Sequence, residues 1–179
     1  MSFEEKIIEG CIAGNRKAQK ALFDTYKSSM MGICMRYCRT KDEAEDVLMM
    51  AFMTILSEIH TFRKESSISS WIRRIVVNTA INNYRKNLKH YFHSDIDDIM
   101  EIDIKDGEDL QISDNHSADA ILKVMNELPH GYRIVLNLYV VEGYKHKEIA
   151  EILDINVGTS KSQLSKARKI IQEKLSSKK

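Results

Sequence analysis

The sequence predicts an all-α fold of two small helical domains joined by an acidic linker. Hydrophobic residues make up 43% of the 179 residues, which is enough for real cores, and one proline with seven glycines leaves few chain breaks. Apolar residues recur at spacings of three and four over long stretches, and no run alternates as a strand would. We therefore expect helical domains over residues 1–92 and 118–179, with the linker over residues 93–117.

The net charge of +1 conceals an uneven distribution. Residues 93–117 hold nine acidic residues and one lysine, whereas residues 1–92 hold 15 basic and 10 acidic residues, and residues 118–179 hold 11 and 7. Like charges repel and are costly to desolvate, so the linker should be extended or irregular. It is either a solubilising tether, or an acidic strand that occupies a cationic channel or folds back onto the protein's own basic surfaces.

Four helices are expected in the first domain, over residues 3–13, 15–39, 41–59 and about 69–87. The first carries an amphipathic apolar stripe, and the second has apolar residues at helical spacing along its length. Asp42 and Glu43 open the third helix, where the positive end of the helix dipole favours carboxylates. A polar loop over residues 60–70 separates the third helix from the fourth.

This loop and the fourth helix have the composition of a binding site for single-stranded nucleic acid. Cations there can contact phosphates, and short polar side chains can bind unpaired bases. The cations include Arg63, Lys64 and Arg74, and the polar set is Ser66, Ser67, Ser69, Ser70, Asn78, Asn82 and Asn83. Trp71 can stack on a base, although its helical spacing with Ile75 and Ile81 favours a place in the core.

The second domain contains a helix-turn-helix pattern over residues 144–174. Its first helix has an apolar face at Ile149, Ala150, Ile152 and Leu153. Asp154 suits a left-handed turn position, and Asn156 is a good N-cap for the second helix. That helix should bury Leu164, Ala167, Ile171 and Leu175, and leave outside Lys161, Ser162, Gln163, Ser165, Lys166 and Lys169. Such side chains suit a major groove, whereas an ordinary helical hairpin with solvated lysines is the alternative.

Several functional classes find no support in the residues. No apolar run approaches the roughly 18 residues that span a bilayer, and the N-terminus lacks a signal-peptide profile, so we expect a cytoplasmic protein. Cys34 and Cys38 lie one helical turn apart without a second ligand pair, which indicates reduced, packed thiols rather than a metal or redox site. We expect no metal, no cofactor and no enzymatic activity, since no set of nucleophile, base and orienting group is present.

Three segments together resemble a known family. They are AEDVLMMAF (residues 44–52), FRKESSISSWIRRIVVNTAINNYRK (residues 62–86) and LPHGYRIVLNLYVVEGYKHKEIAEILDINVGTSKSQLSKARK (residues 128–169). In this order they closely resemble the extracytoplasmic-function (ECF) sigma factors, the small two-domain members of the bacterial sigma-70 family. The resemblance covers nearly the whole chain except the linker. It implies a subunit that binds core RNA polymerase and carries it to promoter DNA.

The resemblance also implies roles for particular residues. Those that dock on the clamp coiled coil of the largest polymerase subunit would be Asp46, Val47, Met49, Met50 and Phe52. Those that capture a flipped base of the melted minus-10 element would be Arg63, Lys64, Ser66, Ser67, Ser70, Trp71, Arg74, Asn78 and Asn82. Those that read the minus-35 element would be Lys161, Ser162, Gln163, Ser165 and Lys166. A helix over residues 131–141 would help to bind the polymerase flap, the linker would thread toward the polymerase active centre, and an anti-sigma factor would be a further partner.

The chain departs from the family pattern at three places. Met49 and Met50 stand where the family usually has Gln-Glu, which removes a polar pair from the expected polymerase-binding face. Gln163 replaces a common Arg, and Ser160 replaces a common apolar residue. Two other classes remain open, a stand-alone helix-turn-helix regulator that does not join polymerase and a pure interaction module such as an anti-sigma or adaptor protein. The second of these would leave the lysines of the second helix unexplained.

Overall fold

The computed structural model describes residues 2–95 and 118–176, and within them every regular element is helical. The chain divides into two compact units, Met1–Lys86 and Asn87–Lys179. The helices are α1 (Phe3–Ile12), α2 (Arg16–Tyr37), α3 (Lys41–Glu58), α4 (Ile68–Asp95), α5 (Ala118–Asn126), α6 (His130–Leu136), α7 (His146–Leu153) and α8 (Val157–Ser176). A short 3₁₀ turn (Ile59–Thr61) follows α3, and a π-helical segment (Asn137–Val141) follows α6. The all-α prediction is confirmed for the part of the chain that the structure describes.

Side-chain caps fix where the helices of the first unit begin. The Ser2 hydroxyl accepts from the Glu5 backbone N–H at 3.1 Å while the Glu5 carboxylate accepts from the Ser2 N–H at 2.7 Å, which forms a capping box. Asn15 caps α2 through the N–H groups of its first turn, and the Thr40 hydroxyl accepts from the Glu43 N–H at 3.1 Å to cap α3. These caps satisfy backbone donors that a helix start would otherwise leave unpaired.

The core of the first unit is built from the apolar faces of α1 to α4. Its most deeply buried large side chains are Leu22, Tyr37, Val47, Ile55, Ile59, Ile68, Ile72 and Val76. Cys11, Cys34 and Cys38 are free thiols in this core. Burial raises the pKa of the Cys34 thiol to about 11, so that it stays protonated at neutral pH. The prediction that the cysteines are packed is confirmed.

Helix α4 is longer than predicted. It continues to Asp95 rather than ending near residue 87, so residues 93–95, which the sequence assigned to the linker, are helical. Charge patterning locates the acidic segment, but it does not locate a helix end without a proline or glycine stop signal. The rest of the predicted linker, residues 96–117, lies outside the described residues.

In the second unit, α5, α6 and α7 all pack against α8. The side chains at the centre of this packing are Val124, Ile134, Leu138, Ile149, Leu153, Leu164 and Ala167. The helix predicted over residues 131–141 is present, but only its first part is an α-helix. After Leu136 the chain widens into the π-helical segment, in which the Glu142 N–H donates to the Asn137 carbonyl at 3.0 Å.

The turn between α7 and α8 has the predicted chemistry. Asp154 is left-handed, with φ 55° and ψ 48°, and the next amide, of Ile155, donates to the Ala150 carbonyl at 3.0 Å. The Asn156 side-chain oxygen then accepts from the Thr159 N–H at 2.7 Å and caps α8. Two short helices joined by a tight turn are therefore present where the sequence predicted them.

No helix in residues 2–95 and 118–176 combines the length and apolar character needed to span a membrane.

Candidate nucleic-acid interface

A polar stripe runs along the exposed side of α4. Ser70, Arg74, Asn78 and Asn82 follow one another at intervals of four residues and are all exposed. Residues four apart lie on one face of a helix, so the four side chains form a continuous row. The opposite face is buried at Ile68, Ile72, Val76, Val77, Ala80, Ile81 and Tyr84. The stripe offers a hydroxyl, a guanidinium and two amides on a rigid element.

At the start of α4, Ser67 acts as the helix cap. Its hydroxyl oxygen accepts from the Ser70 N–H at 3.2 Å and lies 2.8 Å from the Ser70 hydroxyl. The Trp71 N–H donates to the Ser67 carbonyl at 3.1 Å in the first turn. Ser67 therefore holds the start of the stripe in place, a role that the sequence analysis did not assign to it.

The loop before α4 contacts α1 through an exposed ion pair. Lys64 has a left-handed backbone, with φ 58°, and its ammonium lies 3.5 Å from the Glu5 carboxylate. A backbone hydrogen bond from Ser2 and the nearby Lys64 cation lower the pKa of the Glu5 carboxyl, so Glu5 stays ionised. Arg63 and Ser66 are exposed in the same loop. The predicted minus-10 cations and hydroxyls thus border the N-terminal end of the stripe.

Trp71 is neither fully buried nor fully exposed. Its ring packs against Phe62, with the ring centroids 5.6 Å apart and the planes tilted by 53°. The two sequence interpretations, core residue and base-stacking platform, are therefore compatible, because one part of the indole packs while another part is accessible.

Asn83 does not belong to the exposed polar set, contrary to the sequence analysis. Its amide donates to the Glu43 carboxylate at 2.7 Å, and the other Glu43 oxygen accepts from the Arg39 N–H at 2.8 Å. The side chain is turned inward and joins α4 to the start of α3. Asn82, one position earlier on α4, is exposed, so its amide is available to a ligand whereas that of Asn83 is bonded to Glu43.

Helix α3 divides the predicted polymerase-binding residues into two groups. Asp46, Met49 and Met50 are exposed. Val47 and Phe52 are buried, at 0% and 3% exposure. The five cannot act as one contact surface, because the latter two belong to the core of the unit. Phe52, for example, packs edge-on against Phe23 with centroids 4.8 Å apart.

The exposed side of α3 includes a residue that the sequence analysis missed. Met53 is 70% exposed, more than Met49 at 53% or Met50 at 43%. Residues 49, 50 and 53 lie within one helical turn, so their thioether side chains form a contiguous apolar face. We call Met49, Met50 and Met53 the methionine face. Met53 lies four residues after Met49 and three after Met50, and this spacing was the sequence signal that could have identified it.

All five predicted minus-35 residues lie in the first half of α8. Lys161 is exposed, and Ser162, Gln163, Ser165 and Lys166 are partly exposed. The predicted apolar face of the same helix is buried at Leu164, Ala167, Ile171 and Leu175. The Ser162 hydroxyl donates to the Thr159 carbonyl at 3.0 Å, so its oxygen remains available as an acceptor. α8 has the division into buried and polar faces that a recognition helix requires.

A partly buried polar pair joins α7 to α8. His146 Nδ1 lies 3.0 Å from the Ser160 hydroxyl, and Ser160 has 0% exposure. The His146 ring stacks on Tyr139, with centroids 4.6 Å apart and planes 24° from parallel. The sequence analysis noted Ser160 as unusual but did not connect it with His146, since the two residues are 14 positions apart.

Within residues 2–95 and 118–176, no group of three or more histidine, cysteine or acidic side chains is arranged to hold a metal ion.

The first unit has an exposed polar stripe beside a basic loop, and the second unit contains a helix-turn-helix. Together these features define a two-unit DNA-binding protein. Comparison with known families identifies both units. Sigma-70 region 2 matches residues 22–90, and Sigma-70 region 4 matches residues 118–171. The ECF RNA polymerase sigma-E factors of Haemophilus influenzae and Escherichia coli K12 are each 28% identical to the chain; the alignments cover 96% of it and 95% and 94% of those proteins.

Among the solved structures that resemble the chain is that of the sigma factor RpoE with the anti-sigma factor NepR from Bartonella quintana. It has 22% sequence identity and a TM-score of 0.47, and the match covers 88% of this chain and 96% of that one. On the two family matches and the curated relatives, the chain belongs to the sigma-70 family as an ECF sigma factor. Its function is that of a sigma factor, which works with RNA polymerase in transcription initiation.

Proposed function

We propose that the first unit binds core RNA polymerase and captures a melted minus-10 base, while the second unit reads the duplex minus-35 element. Residues 1–92 would act as the region-2 domain, residues 118–179 as the region-4 domain, and residues 93–117 as the linker. The protein would be a non-enzymatic specificity subunit acting in the cytoplasm. The observation that supports this most directly is the polar stripe on α4 next to the basic loop.

The stripe suits a single-stranded substrate. Asn78 and Asn82 present amide donors and acceptors that can pair with the edge of a flipped base, and Arg74 lies four residues before Asn78 to meet a phosphate. Trp71 adds a partly exposed aromatic surface at the start of the same helix. Flipping a base costs a few kcal/mol, and stacking contributes about 1–3 kcal/mol per base, so stacking and hydrogen bonds together can offset that cost.

Polymerase binding is proposed for the exposed side of α3. The methionine face supplies apolar area, and the exposed carboxylate of Asp46 adds a charge three residues before Met49. Methionine adapts its shape to irregular apolar surfaces, so this face can dock where relatives use a polar pair. Val47 and Phe52 would hold α3 in place by packing in the core of the first unit, and would not touch the clamp coiled coil. α6 and the π-helical segment would contribute to flap binding.

Reading of the minus-35 element is proposed for α8. Lys161, which is exposed, and Lys166, which is partly exposed, would contact phosphates or guanine edges. Gln163 has the side chain that pairs with adenine, which favours an adenine-containing element if it reaches a base. Family resemblance further suggests an anti-sigma factor that occupies these surfaces when transcription is not required.

Reconstitution tests the whole proposal. Purified protein is mixed with bacterial core polymerase, followed by gel filtration and then by run-off transcription from a genomic fragment library. A stable complex with discrete start sites is the expected result. Binding to duplex DNA without binding to core would overturn the proposal in favour of a stand-alone helix-turn-helix regulator.

The minus-10 assignment has its own test. Asn78→Ala should slow open-complex formation more than it weakens closed-complex binding, because only the melted strand presents a flipped base. The two steps are separated by a permanganate footprint and a gel-shift assay on the same promoter. Equal losses in both steps would rule out base capture by Asn78.

A further inference from the structure

We propose that His146 and Ser160 are positioning residues for minus-35 recognition: the hydrogen bond between the partly buried His146 and the fully buried Ser160 fixes the rotation of α8 and thereby the direction of its base-reading side chains. This inference rests on the proposed role of α8 as the minus-35 reader. It concerns how that helix is held, which neither the family matches nor the relatives describe.

The bond involves the residue that directly precedes the reading residues in the sequence. Ser160 is fully buried, and Lys161, Ser162 and Gln163 follow it in the sequence. Each residue turns an α-helix by about 100°, so anchoring the Ser160 side chain toward α7 sets where the next three side chains point. A rotation of α8 by half that angle would move these side chains away from the base edges that they are placed to meet.

The partner residue makes a second contact through its ring. His146 is the first residue of α7, and its ring is stacked on Tyr139 of the π-helical segment. The guanidinium of Arg168, two helical turns beyond Ser160, lies 5.7 Å from the centre of the Tyr139 ring. The π-helical segment, α7 and α8 therefore meet at one aromatic and polar cluster, and α8 is tied to it at two points.

A polar link differs from apolar packing in being directional. Apolar contacts along Leu164, Ala167 and Ile171 hold α8 against its neighbours but tolerate small rotations of the helix. A hydrogen bond weakens steeply when its geometry changes, and a buried hydroxyl that loses its partner is penalised. The link therefore resists rotation where the apolar side chains alone would not.

Three variants of the full-length chain, assembled with core polymerase, test this inference. In the double variant H146L/S160V both polar partners become apolar, so that neither is left buried without a hydrogen bond, which limits the cost to folding. In H146N the Asn side chain places an amide near the former Nδ1 position and can keep the bond. In S160A the hydroxyl alone is removed. Each holoenzyme is bound to a duplex library with a randomised upstream element.

The measured quantity is the affinity for the best selected sequence relative to scrambled duplex. We expect H146L/S160V and S160A to lower this ratio roughly tenfold, comparable to the loss of one good base contact, and H146N to stay within about threefold of wild type. The dependence of scrambled-duplex binding on salt should be the same in all of them, because phosphate contacts remain.

The possible failures are distinguishable. A wild-type holoenzyme with no upstream preference would contradict the proposed function of α8 itself. A wild type with a clear preference that H146L/S160V shares would show that the pair only fills space, which overturns the positioning role. A loss in H146N as large as in the double variant would also overturn it, since the hydrogen bond would then not be the relevant feature.

Discussion

The side-chain amide of Asn83 donates a 2.7 Å hydrogen bond to the carboxylate of Glu43, and so joins α4 to the first turn of α3. The neighbouring Asn82 is identical in chemistry but exposed. Glu43 also accepts from the Arg39 N–H at 2.8 Å. Asn83 therefore contributes to the stability of the first unit, whereas Asn82 is available for the proposed DNA contact. Substituting each in turn tests the two roles independently.

Asn83→Ala is expected to lower the free energy of unfolding of the first unit by about 1–3 kcal/mol, because it removes a hydrogen bond to a charged acceptor. Urea unfolding measures this loss through tryptophan fluorescence, since Trp71 is the one tryptophan of the chain and lies in that unit. An unfolding midpoint equal to that of wild type would contradict a structural role for the bond.

Asn82→Ala is the matched control. An exposed side chain without a packing role changes stability by less than about 0.5 kcal/mol, so its unfolding curve should match that of wild type. Its holoenzyme should nevertheless form fewer open complexes. The opposite pattern, an unstable Asn82 variant with normal open complexes, would reverse the two assignments.

The second prediction concerns the methionine face. Replacing Met49, Met50 and Met53 together by alanine should weaken binding to core polymerase by at least about tenfold, because each truncation removes apolar area from the proposed contact. Phe3→Ala is the control, since Phe3 is a 76% exposed apolar side chain on α1 of the same unit. Fluorescence anisotropy of the labelled protein titrated with core polymerase gives both affinities. Equal affinities for the triple variant and the control would exclude the methionine face from the interface.

Much of this fold is encoded locally. Ser2, Asn15, Thr40 and Asn156 each cap a helix through backbone groups within three residues, and such short-range chemistry can be recognised in a sequence. The left-handed Asp154 was predictable for the same reason. Apolar spacing of three and four also identified the buried face of α8 correctly.

The site was less predictable where the outcome depends on how helices cross. α3 carries apolar residues on nearly all sides in its middle, so periodicity alone could not tell that Val47 and Phe52 face the core while Met49 and Met50 face outward. Asn82 and Asn83 differ only by the rotation of one residue. The bond between His146 and Ser160 exists only because α7 and α8 pack together, and no local signal pairs these two residues.

The third prediction concerns Lys166. Lys166→Ala should weaken minus-35 binding by about 1–3 kcal/mol if the lysine contacts a base. If it contacts a phosphate instead, affinity should fall on all sequences, and the salt slope should decrease by about one. Lys174→Ala is a control on the same helix, because Lys174 pairs with Glu127 at 2.7 Å. Gel shifts on the selected promoter and on scrambled duplex, at several salt concentrations, measure both quantities. Identical behaviour of the two alanine variants would remove Lys166 from the recognition surface.

The fourth prediction concerns the dependence of stability on pH. Burial, with added repulsion from Lys161 and Arg168, lowers the pKa of His146 below its usual value of 6.5. The unfolded chain then binds a proton more readily than the folded chain, so stability is full above about pH 6.5 and falls as the pH drops toward the folded pKa. His146→Asn removes this titration. The difference in unfolding free energy between wild type and His146→Asn should be constant well above about pH 6.5, and it should change to the disadvantage of wild type as the pH falls below about 6.5.

Urea unfolding followed by the amide NMR signals of α8 measures this difference in the second unit alone. His60→Asn provides the control, because His60 is an exposed residue of the first unit and its loss should leave the α8 curves unchanged at every pH. Parallel pH curves for wild type and His146→Asn would mean that the imidazole titrates alike in the folded and unfolded chains. That result would contradict the position of the His146 ring beside Ser160, where partial burial and the nearby Lys161 and Arg168 cations lower its pKa.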